Sequence, residues 1–241
     1  MLDPKKSLGQ NFLIDKNIIK KIINQTNIEN QNIVEIGPGL GNLTEFIIKE
    51  KPRSLLLIEK DFKLFNYLKK KYKDNKTIKI INTDALKYNF SELRNIKIIS
   101  NLPYNISTKI IIKLIFYNKN IKNIICMIQK ELAEKFDYNK SKMNKYKFII
   151  KLCSNYKILF NVSNKVFYPK PKVESKVVEF KLKNVQIDKN KLLNFTNKIF
   201  RNRRKNLRNK IENSLLINEE IMNKRVEELS FEELLKIYNF F

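Results

Sequence analysis

Several residue types that build common kinds of site are scarce in this chain of 241 residues. Histidine is absent and cysteine occurs only twice, so a zinc or other metal site is not expected. Cys126 and Cys153 lie in apolar surroundings without a motif, which predicts buried free thiols in a reducing cytosol. No apolar run approaches the roughly 18 residues of a membrane span, and the first residues lack the apolar core of a signal peptide. The sequence therefore predicts a cytoplasmic protein that has no membrane partner.

Glycine is also scarce, and its positions are informative. The chain has 4 glycines, whereas average composition is about 7% glycine. Three of them fall in Glu35–Gly41 (Glu-Ile-Gly-Pro-Gly-Leu-Gly), and Gly9 falls in Ser7–Leu13. Because glycine is needed where φ is positive or where backbone touches a ligand, these two segments are the first candidates for binding a small molecule.

Apolar segments that are typical of buried strands alternate with helical segments in the first two thirds of the chain. The predicted strands here are Asn32–Ile36, Ser54–Ile58, Thr77–Ile81, Ile96–Ser100 and Asn123–Ile128. Two later strands, Tyr156–Val162 and Ser175–Leu182, flank the turn-rich segment Tyr168–Lys172, and the chain from Asp188 onward has a helical pattern. We predict an α/β fold: a Rossmann-like, doubly wound parallel sheet in residues 1–185 and a small helical domain in residues 186–241.

The formal net charge is +25, which favours a polyanion such as nucleic acid as the partner. Much of the lysine accompanies abundant Asn, Ile, Phe and Tyr, as in an AT-rich genome, so clustered arginine is the better signal. Such a cluster, without an acid inside it, is predicted on a helix near the C-terminus and consists of Arg201, Arg203, Arg204, Lys205, Arg208 and Lys210. A solvated basic face is the plain alternative, but with RNA as the partner we favour phosphate binding.

Candidate site residues follow the ends of the predicted strands, where open α/β sheets bind ligands. Gly37–Gly41 follows the first strand, Glu59 ends the second, and Asp84 follows the third. A carboxylate at Glu59 suits a ribose diol, and one at Asp84 suits an exocyclic adenine amine. The glycine loop lacks the Lys-Ser/Thr pair of a phosphate loop, so nucleotide hydrolysis is not expected. These groups alone do not distinguish NAD from another cofactor that contains adenosine.

The segment Asn101–Tyr104 (Asn-Leu-Pro-Tyr) favours a different chemistry. An adenine N6 amine is a poor nucleophile because its lone pair is delocalised into the ring. A side-chain amide oxygen and a backbone carbonyl can both accept hydrogen bonds from this amine and hold it near tetrahedral geometry. Asn101 supplies the amide, and Pro103 keeps the preceding residue extended and so directs its carbonyl. Tyr104 supplies a flat face on which an extruded base can stack.

The chain resembles the KsgA-type ribosomal RNA adenine N6,N6-dimethyltransferases over nearly its whole length. The segments that carry the resemblance, in order, are Ser-Leu-Gly-Gln-Asn-Phe-Leu-Ile-Asp (7–15), Glu-Ile-Gly-Pro-Gly-Leu-Gly-Asn-Leu-Thr (35–44), Asn-Leu-Pro-Tyr-Asn-Ile-Ser-Thr (101–108), Pro-Lys-Pro-Lys-Val-Glu-Ser (169–175) and Arg-Arg-Lys-Asn-Leu-Arg-Asn (203–209). Together they are specific, whereas none would be so alone. One departure from the family pattern is Lys147, which follows Tyr146 at a position where the family usually has Gly.

The resemblance implies a methyltransferase sheet that binds S-adenosylmethionine as the methyl donor. It implies cofactor contacts at Asn11, Leu13, Gly37, Gly39, Glu59, Asp84 and Asn101. It implies a catalytic set of Asn101, Leu102, Pro103, Tyr104 and Phe167, in which the two aromatic rings stack on the flipped adenine. The implied substrate is a pair of adjacent adenines in the 3′-terminal hairpin loop of small-subunit (16S) ribosomal RNA, methylated by a monomer on the immature small ribosomal subunit.

Other functions remain open on the sequence. A large-subunit ribosomal RNA adenine methyltransferase shares the Asn-x-Pro-Tyr core, although Gly-Pro-Gly-Leu-Gly and the arginine-rich segment speak against it. A non-catalytic RNA-binding assembly factor would not need an amine-activating Asn. A DNA adenine methyltransferase usually has a motif with two prolines.

The absence of histidine also predicts the pH dependence of the reaction. With ordinary pKa values, no side chain titrates between about pH 6 and 8. We therefore expect a nearly flat methyl-transfer rate without a general base. The alternative is that Glu59 or Asp84, with its pKa raised by burial, acts as a base.

Overall fold

The structure is a computed structural model that describes residues 4–5, 9–140, 142–202, 204–211 and 218–241. Its strands are β1 (Phe12–Leu13), β2 (Asn32–Ile36), β3 (Ser54–Glu59), β4 (Ile78–Asn82), β5 (Ile96–Asn101), β6 (Ile121–Gln129), β7 (Ser154–Val162), β8 (Phe167–Tyr168) and β9 (Ser175–Leu182). Its helices are α1 (Lys16–Ile23), α2 (Asn42–Lys49), α3 (Phe62–Lys71), α4 (Ser107–Ile115), α5 (Lys130–Phe136), α6 (Lys145–Cys153), α7 (Lys189–Phe200), α8 (Glu219–Asn223) and α9 (Phe231–Phe240).

Seven strands form one mixed sheet in the order β4-β3-β2-β5-β6-β9-β7. The five from β4 to β6 are parallel, and β9 runs antiparallel to both of its neighbours. The chain moves outward from β2 to β4 on one side and then returns to place β5 and β6 on the other. This reversal puts a topological switch point between β2 and β5, where a crevice opens at the carboxyl ends of the strands. The predicted Rossmann-like α/β class is confirmed.

The seven strands of the main sheet form where the apolar pattern predicts them, and their bounds differ from the predicted ones by at most 2 residues at either end. In β3, Leu55–Glu59 is buried because helices cover both faces of the sheet. Asp15 caps α1 by accepting hydrogen bonds from the backbone N–H groups of Asn17 and Ile18. A short antiparallel ribbon of β1 and β8, which the sequence did not predict, brings Phe167 opposite Leu13.

The C-terminal helices pack on the same side of the sheet as α4 and α6 and share that apolar core. Phe148 of α6 lies at the junction, with its ring centroid 5.5 Å from those of Phe195 and Phe231. Both buried thiols, Cys126 and Cys153, also belong to this core. The division into domains at residue 185 stays a prediction. No helix in the described ranges has the length and apolar character needed to cross a membrane.

The prediction of a helix through the basic segment is wrong. Helix α7 ends at Phe200, Arg201 is extended, and Asn202 has a left-handed φ of 57°. The segment then turns inward because Leu207 is fully buried and its backbone N–H bonds to the carbonyl of Lys224. Arg203 lies outside the described residues. The side chains of Arg201, Arg204, Lys205 and Arg208 are exposed, and Lys210 is half-buried.

Lys147, the departure from the family pattern, is a buried cation near the start of α6. Its side chain is 1% exposed, and its ammonium donates hydrogen bonds to the backbone carbonyls of Lys140 and Lys142. Burial lowers the pKa of this lysine. The side chain therefore ties the loop between α5 and α6 to the helix that carries the C-terminal core.

We expect Lys147→Met to lower the free energy of unfolding by roughly 1–3 kcal/mol, because buried carbonyls lose a charged donor. Urea denaturation measures the change. Lys140→Met, which alters an exposed side chain of the same loop, is the control and should stay within about 0.5 kcal/mol of the wild type. Equal stabilities for the two variants would contradict a stabilising role for Lys147.

Candidate active site

A cleft opens at the switch point between β2 and β5 and encloses about 1070 Å³, part of it open to solvent. The structure brings most of the predicted site residues into its lining: Asn11, Leu13, Gly37, Gly39, Glu59, Asp84, Asn101, Leu102, Pro103 and Tyr104. Phe167 lies beside the cleft, next to Tyr104, and none of the described residues of the basic segment (201–202 and 204–210) lines it.

The glycine loop between β2 and α2 bends through left-handed backbone. Gly39 has a φ of 60°, and a Cβ at this position would lie 2.9 Å from Cδ1 of Phe12. Any other residue would clash with the N-terminal segment that closes over the loop. Glycine here lets Phe12 and the loop backbone meet at the wall of the cleft.

Glu59 ends β3 with its side chain only 5% exposed. Oε1 accepts a hydrogen bond from the backbone N–H of Asp61 at 2.8 Å, and Oε2 accepts one from Gly39 at 3.3 Å. Burial raises the pKa of this carboxyl, and the two backbone donors oppose the shift. The carboxyl is thus fixed in orientation, and a carboxylate has about four acceptor positions, so it can still accept from a ligand's hydroxyl groups.

Asp84 already has partners that the sequence analysis missed. Its Oδ1 accepts from the backbone N–H of Leu86 at 2.8 Å, and its Oδ2 pairs with Nζ of Lys60 at 2.9 Å. Burial would raise the pKa of Asp84, but these two partners hold it below the usual value. No sequence signal indicates Lys60, because the contact joins two strand ends 24 residues apart.

Asn101 ends β5 beneath the N-terminal segment. Its Nδ2 donates a hydrogen bond to the backbone carbonyl of Asn11 at 2.9 Å. Its Oδ1 is buried and has no hydrogen-bond partner among the described residues. A buried acceptor without a partner carries a cost of roughly 1–3 kcal/mol, so this oxygen is suited to receive a donor from a ligand in the cleft.

Two aromatic rings lie at the mouth of the cleft beside Asn101. The centroids of Tyr104 and Phe167 are 6.4 Å apart, and the ring planes meet at 76°. The hydroxyl groups of Tyr104 and Ser175 share a hydrogen bond of 2.6 Å, and Ser175 is fully buried. Burial raises the pKa of Tyr104, so the phenol stays neutral. Sequence reasoning missed Ser175 as a partner of this ring, although it lies in a family motif.

Glu35 is a further cleft residue that the sequence analysis did not select. It is 1% exposed, and its Oε2 accepts a hydrogen bond from the hydroxyl of Thr44 at 2.6 Å. Burial raises the pKa of Glu35 to about 8. The expectation that no side chain titrates near neutral pH is therefore wrong, because it used ordinary pKa values and burial is not visible in composition.

The sheet order and the cleft at its switch point define the class of the protein, which is a Rossmann-like α/β protein with a ligand crevice at the carboxyl ends of its strands. The fold is similar to that of a dimethyladenosine transferase from Plasmodium falciparum, with a TM-score of 0.78 at 24% identity over 95% of this chain and 98% of that one. It is also similar to the 23S rRNA methyltransferase ErmE, with a TM-score of 0.75 at 19% identity over the same shares of the two chains.

The sequence comparisons identify the family within this class. The ribosomal RNA small subunit methyltransferase A of Hydrogenobaculum sp. (strain Y04AAS1) is 40% identical over 242 residues, which covers 99% of this chain and 94% of the relative. The family model of the ribosomal RNA adenine dimethylases matches residues 1–241. The chain belongs to this family.

Glu35 makes stability depend on pH. Its pKa is about 8 in the folded protein, whereas the ordinary value is 4.5. The protonated carboxyl therefore contributes its full stabilisation below pH 4.5, and this stabilisation is lost as the pH rises through 8. From about pH 5 to 8 we expect the wild type to lose up to about 1.4 kcal/mol per pH unit relative to Glu35→Gln, which does not titrate. Urea denaturation of both proteins across this range measures the difference. A difference that does not change with pH would contradict the raised pKa.

Proposed function

We propose that this protein uses S-adenosylmethionine to dimethylate N6 of two adjacent adenines in the 3′-terminal hairpin loop of small-subunit ribosomal RNA. It would act as a monomer on the immature small ribosomal subunit, in the cytoplasm. Membership of the ribosomal RNA adenine dimethylase family and the small-subunit name of the 40% identical relative support this substrate. The observation that carries the chemistry is the buried Oδ1 of Asn101, which has no partner in the described part of the chain.

The residues of the cleft fit the cofactor. We assign the ribose hydroxyl groups to the carboxyl of Glu59 and the adenine amine to Asp84, whose oxygens keep acceptor positions beside their present partners. Asn11, Leu13, Gly37 and Gly39 would form the wall against the methionine part. When bound, S-adenosylmethionine supplies an electrophilic methyl group.

Asn101 and the backbone carbonyl beside Pro103 would hold the target amine. Oδ1 of Asn101 accepts a hydrogen bond from N6, while its Nδ2 is fixed by the carbonyl of Asn11. Leu102 is 1% exposed, and its backbone N–H bonds to the carbonyl of Met127 at 3.2 Å, so its own carbonyl has a fixed direction. Two acceptors held in place before the reaction favour the amine geometry in which the lone pair is free.

Tyr104 and Phe167 would receive the flipped base. Because the two rings meet at 76°, a base that lies flat on one ring meets the edge of the other. This arrangement encloses the adenine on two sides, and face contact with both rings would require one ring to rotate.

The exposed cations after α7 would bind the RNA backbone. No ion pair with an acid occupies Arg201, Arg204, Lys205 or Arg208 within the described residues, so their charges are available to phosphates. We extend this assignment to Arg203 on sequence alone. In this division residues 1–185 would form the catalytic domain and residues 186–241 the RNA-binding domain.

Two other functions have less support. Likeness to the large-subunit enzyme ErmE is one of fold, at 19% identity, whereas the relative with the small-subunit name is 40% identical. A non-catalytic assembly factor would have no use for a buried acceptor without a partner beside two base-sized rings.

The proposal is tested by Asn101→Ala, which we expect to lower the single-turnover methyl-transfer rate by about 100-fold or more while RNA affinity stays near that of the wild type. Asn123→Ala is the matched control, because Asn123 is the other described residue with a buried, unpartnered amide oxygen and lies near the amino end of β6. Near-normal activity of Asn101→Ala would refute amine activation by this residue.

Ser175 should act by orienting Tyr104. We expect Ser175→Ala and Tyr104→Phe each to reduce kcat/KM for RNA by about 2-fold to 10-fold, the value of one hydrogen bond, with cofactor affinity unchanged. Since both substitutions break the same bond, the double variant should lose no more than either single one. Additive losses would show that the two residues act independently.

Replacing both Arg204 and Arg208 with Gln should weaken RNA binding and reduce the salt slope by roughly 0.7–0.9 per lost phosphate contact. Binding titrations at several salt concentrations measure the slope. The control replaces Arg53 and Arg94 with Gln, which removes the same charge from exposed positions at the amino ends of β3 and β5. If both double variants have the wild-type slope, the basic segment does not bind phosphate.

A further inference from the structure

We propose that residues 165–172, a segment that pairs with the cleft residues Phe12 and Leu13 through β8 and is called the rim below, form a second base subsite, in which Tyr168 stacks on a base next to the methylated adenine. The rim consists of Tyr168 and three lysines, Lys165, Lys170 and Lys172, on the segment that follows β7. This inference rests on the proposed function, because it names a further contact to the same RNA.

The two residues of β8 face opposite ways because side chains alternate along a strand. Phe167 is 3% exposed and faces Tyr104, whereas the adjacent Tyr168 is 55% exposed. Pairing with Phe12 of β1 fixes the backbone of Tyr168. The ring is therefore held at a defined place, one residue from the ring that would contact the target adenine.

The side chain of Tyr168 has no partner in the described part of the protein. Its ring lies in no aromatic pair and under no lysine ammonium, and its hydroxyl makes no hydrogen bond there. Most other aromatic side chains in the chain have such contacts, for example Tyr67, whose ring lies 5.5 Å from the ammonium of Lys71. A large aromatic ring that is already held in place loses little conformational entropy when a flat ligand stacks on it.

The charges around Tyr168 favour a nucleotide as the occupant. Lys165, Lys170 and Lys172 are all exposed, and none forms an ion pair within the described residues. Residues 163–173 contain no acid, and Glu174, the next residue, is paired with Lys130 at 2.9 Å. Lysines around an exposed aromatic ring combine phosphate attraction with base stacking, which is the general pattern of single-strand nucleic-acid binding.

The experiment measures binding to a synthetic RNA hairpin with the sequence of the 3′-terminal small-subunit hairpin. We expect Tyr168→Leu to weaken binding by roughly 5-fold to 100-fold, the effect of losing one base stack, while Tyr168→Phe keeps most of the affinity. Tyr67→Leu is the matched control, since Tyr67 is an exposed tyrosine on α3, 39% exposed and outside the cleft lining.

A second set of hairpins identifies what Tyr168 contacts. In each hairpin one nucleotide next to a target adenine is made abasic, and for one of them we expect wild type and Tyr168→Leu to bind equally. The proposal is overturned if Tyr168→Leu binds the intact hairpin as well as Tyr67→Leu does, or if its loss persists with every abasic hairpin. Methyl transfer by the wild type to immature small subunits is scored separately, so failure of the proposed function is distinguished from failure of this subsite.

Discussion

The site depends on one hydrogen bond, in which the side-chain NH₂ of Asn101 donates to the backbone carbonyl of Asn11 at 2.9 Å. This bond joins the end of β5 to the N-terminal segment and fixes the rotation of the amide. It leaves Oδ1 as a buried acceptor directed by the fold and without a partner among the described residues. The glycine loop also holds the N-terminal segment over the cleft, because the ring of Phe12 packs where a side chain on Gly39 would clash with it.

The cleft and the outer surface of the protein differ in their charged residues and so favour different kinds of ligand. The chain carries a net charge of +25, yet Glu35, Glu59 and Asp84 all line the cleft. A cationic group in the cleft would favour the ionised forms of Glu35 and Glu59, whose pKa values are raised by burial. A polyanion is instead attracted to the lysine-rich and arginine-rich surface outside. The interior therefore suits a sulfonium cofactor, and the exterior suits RNA.

The features predicted correctly from the sequence are those that the local residue pattern determines. The apolar runs predicted the strands of the main sheet, and the rule that ligands bind beyond strand ends placed Glu59, Asp84 and Asn101 in one site. Sequence reasoning failed where tertiary contacts decide. The predicted helix after Phe200 is broken because Leu207 is buried and pairs with Lys224. The pairing of Asp84 with Lys60, the contact of Ser175 with Tyr104 and the pKa of Glu35 follow from burial and from contacts between distant segments, which no local pattern encodes.

The cleft is proposed to act on the N6 amine of adenine in small-subunit RNA. Mass spectrometry of immature small ribosomal subunits, incubated with the protein and S-adenosylmethionine, tests this proposal most directly. We expect two adjacent N6,N6-dimethyladenines in the 3′-terminal hairpin loop and no new methyl group when large subunits are supplied instead. Methylation confined to large-subunit RNA, or at a position other than adenine N6, would contradict it.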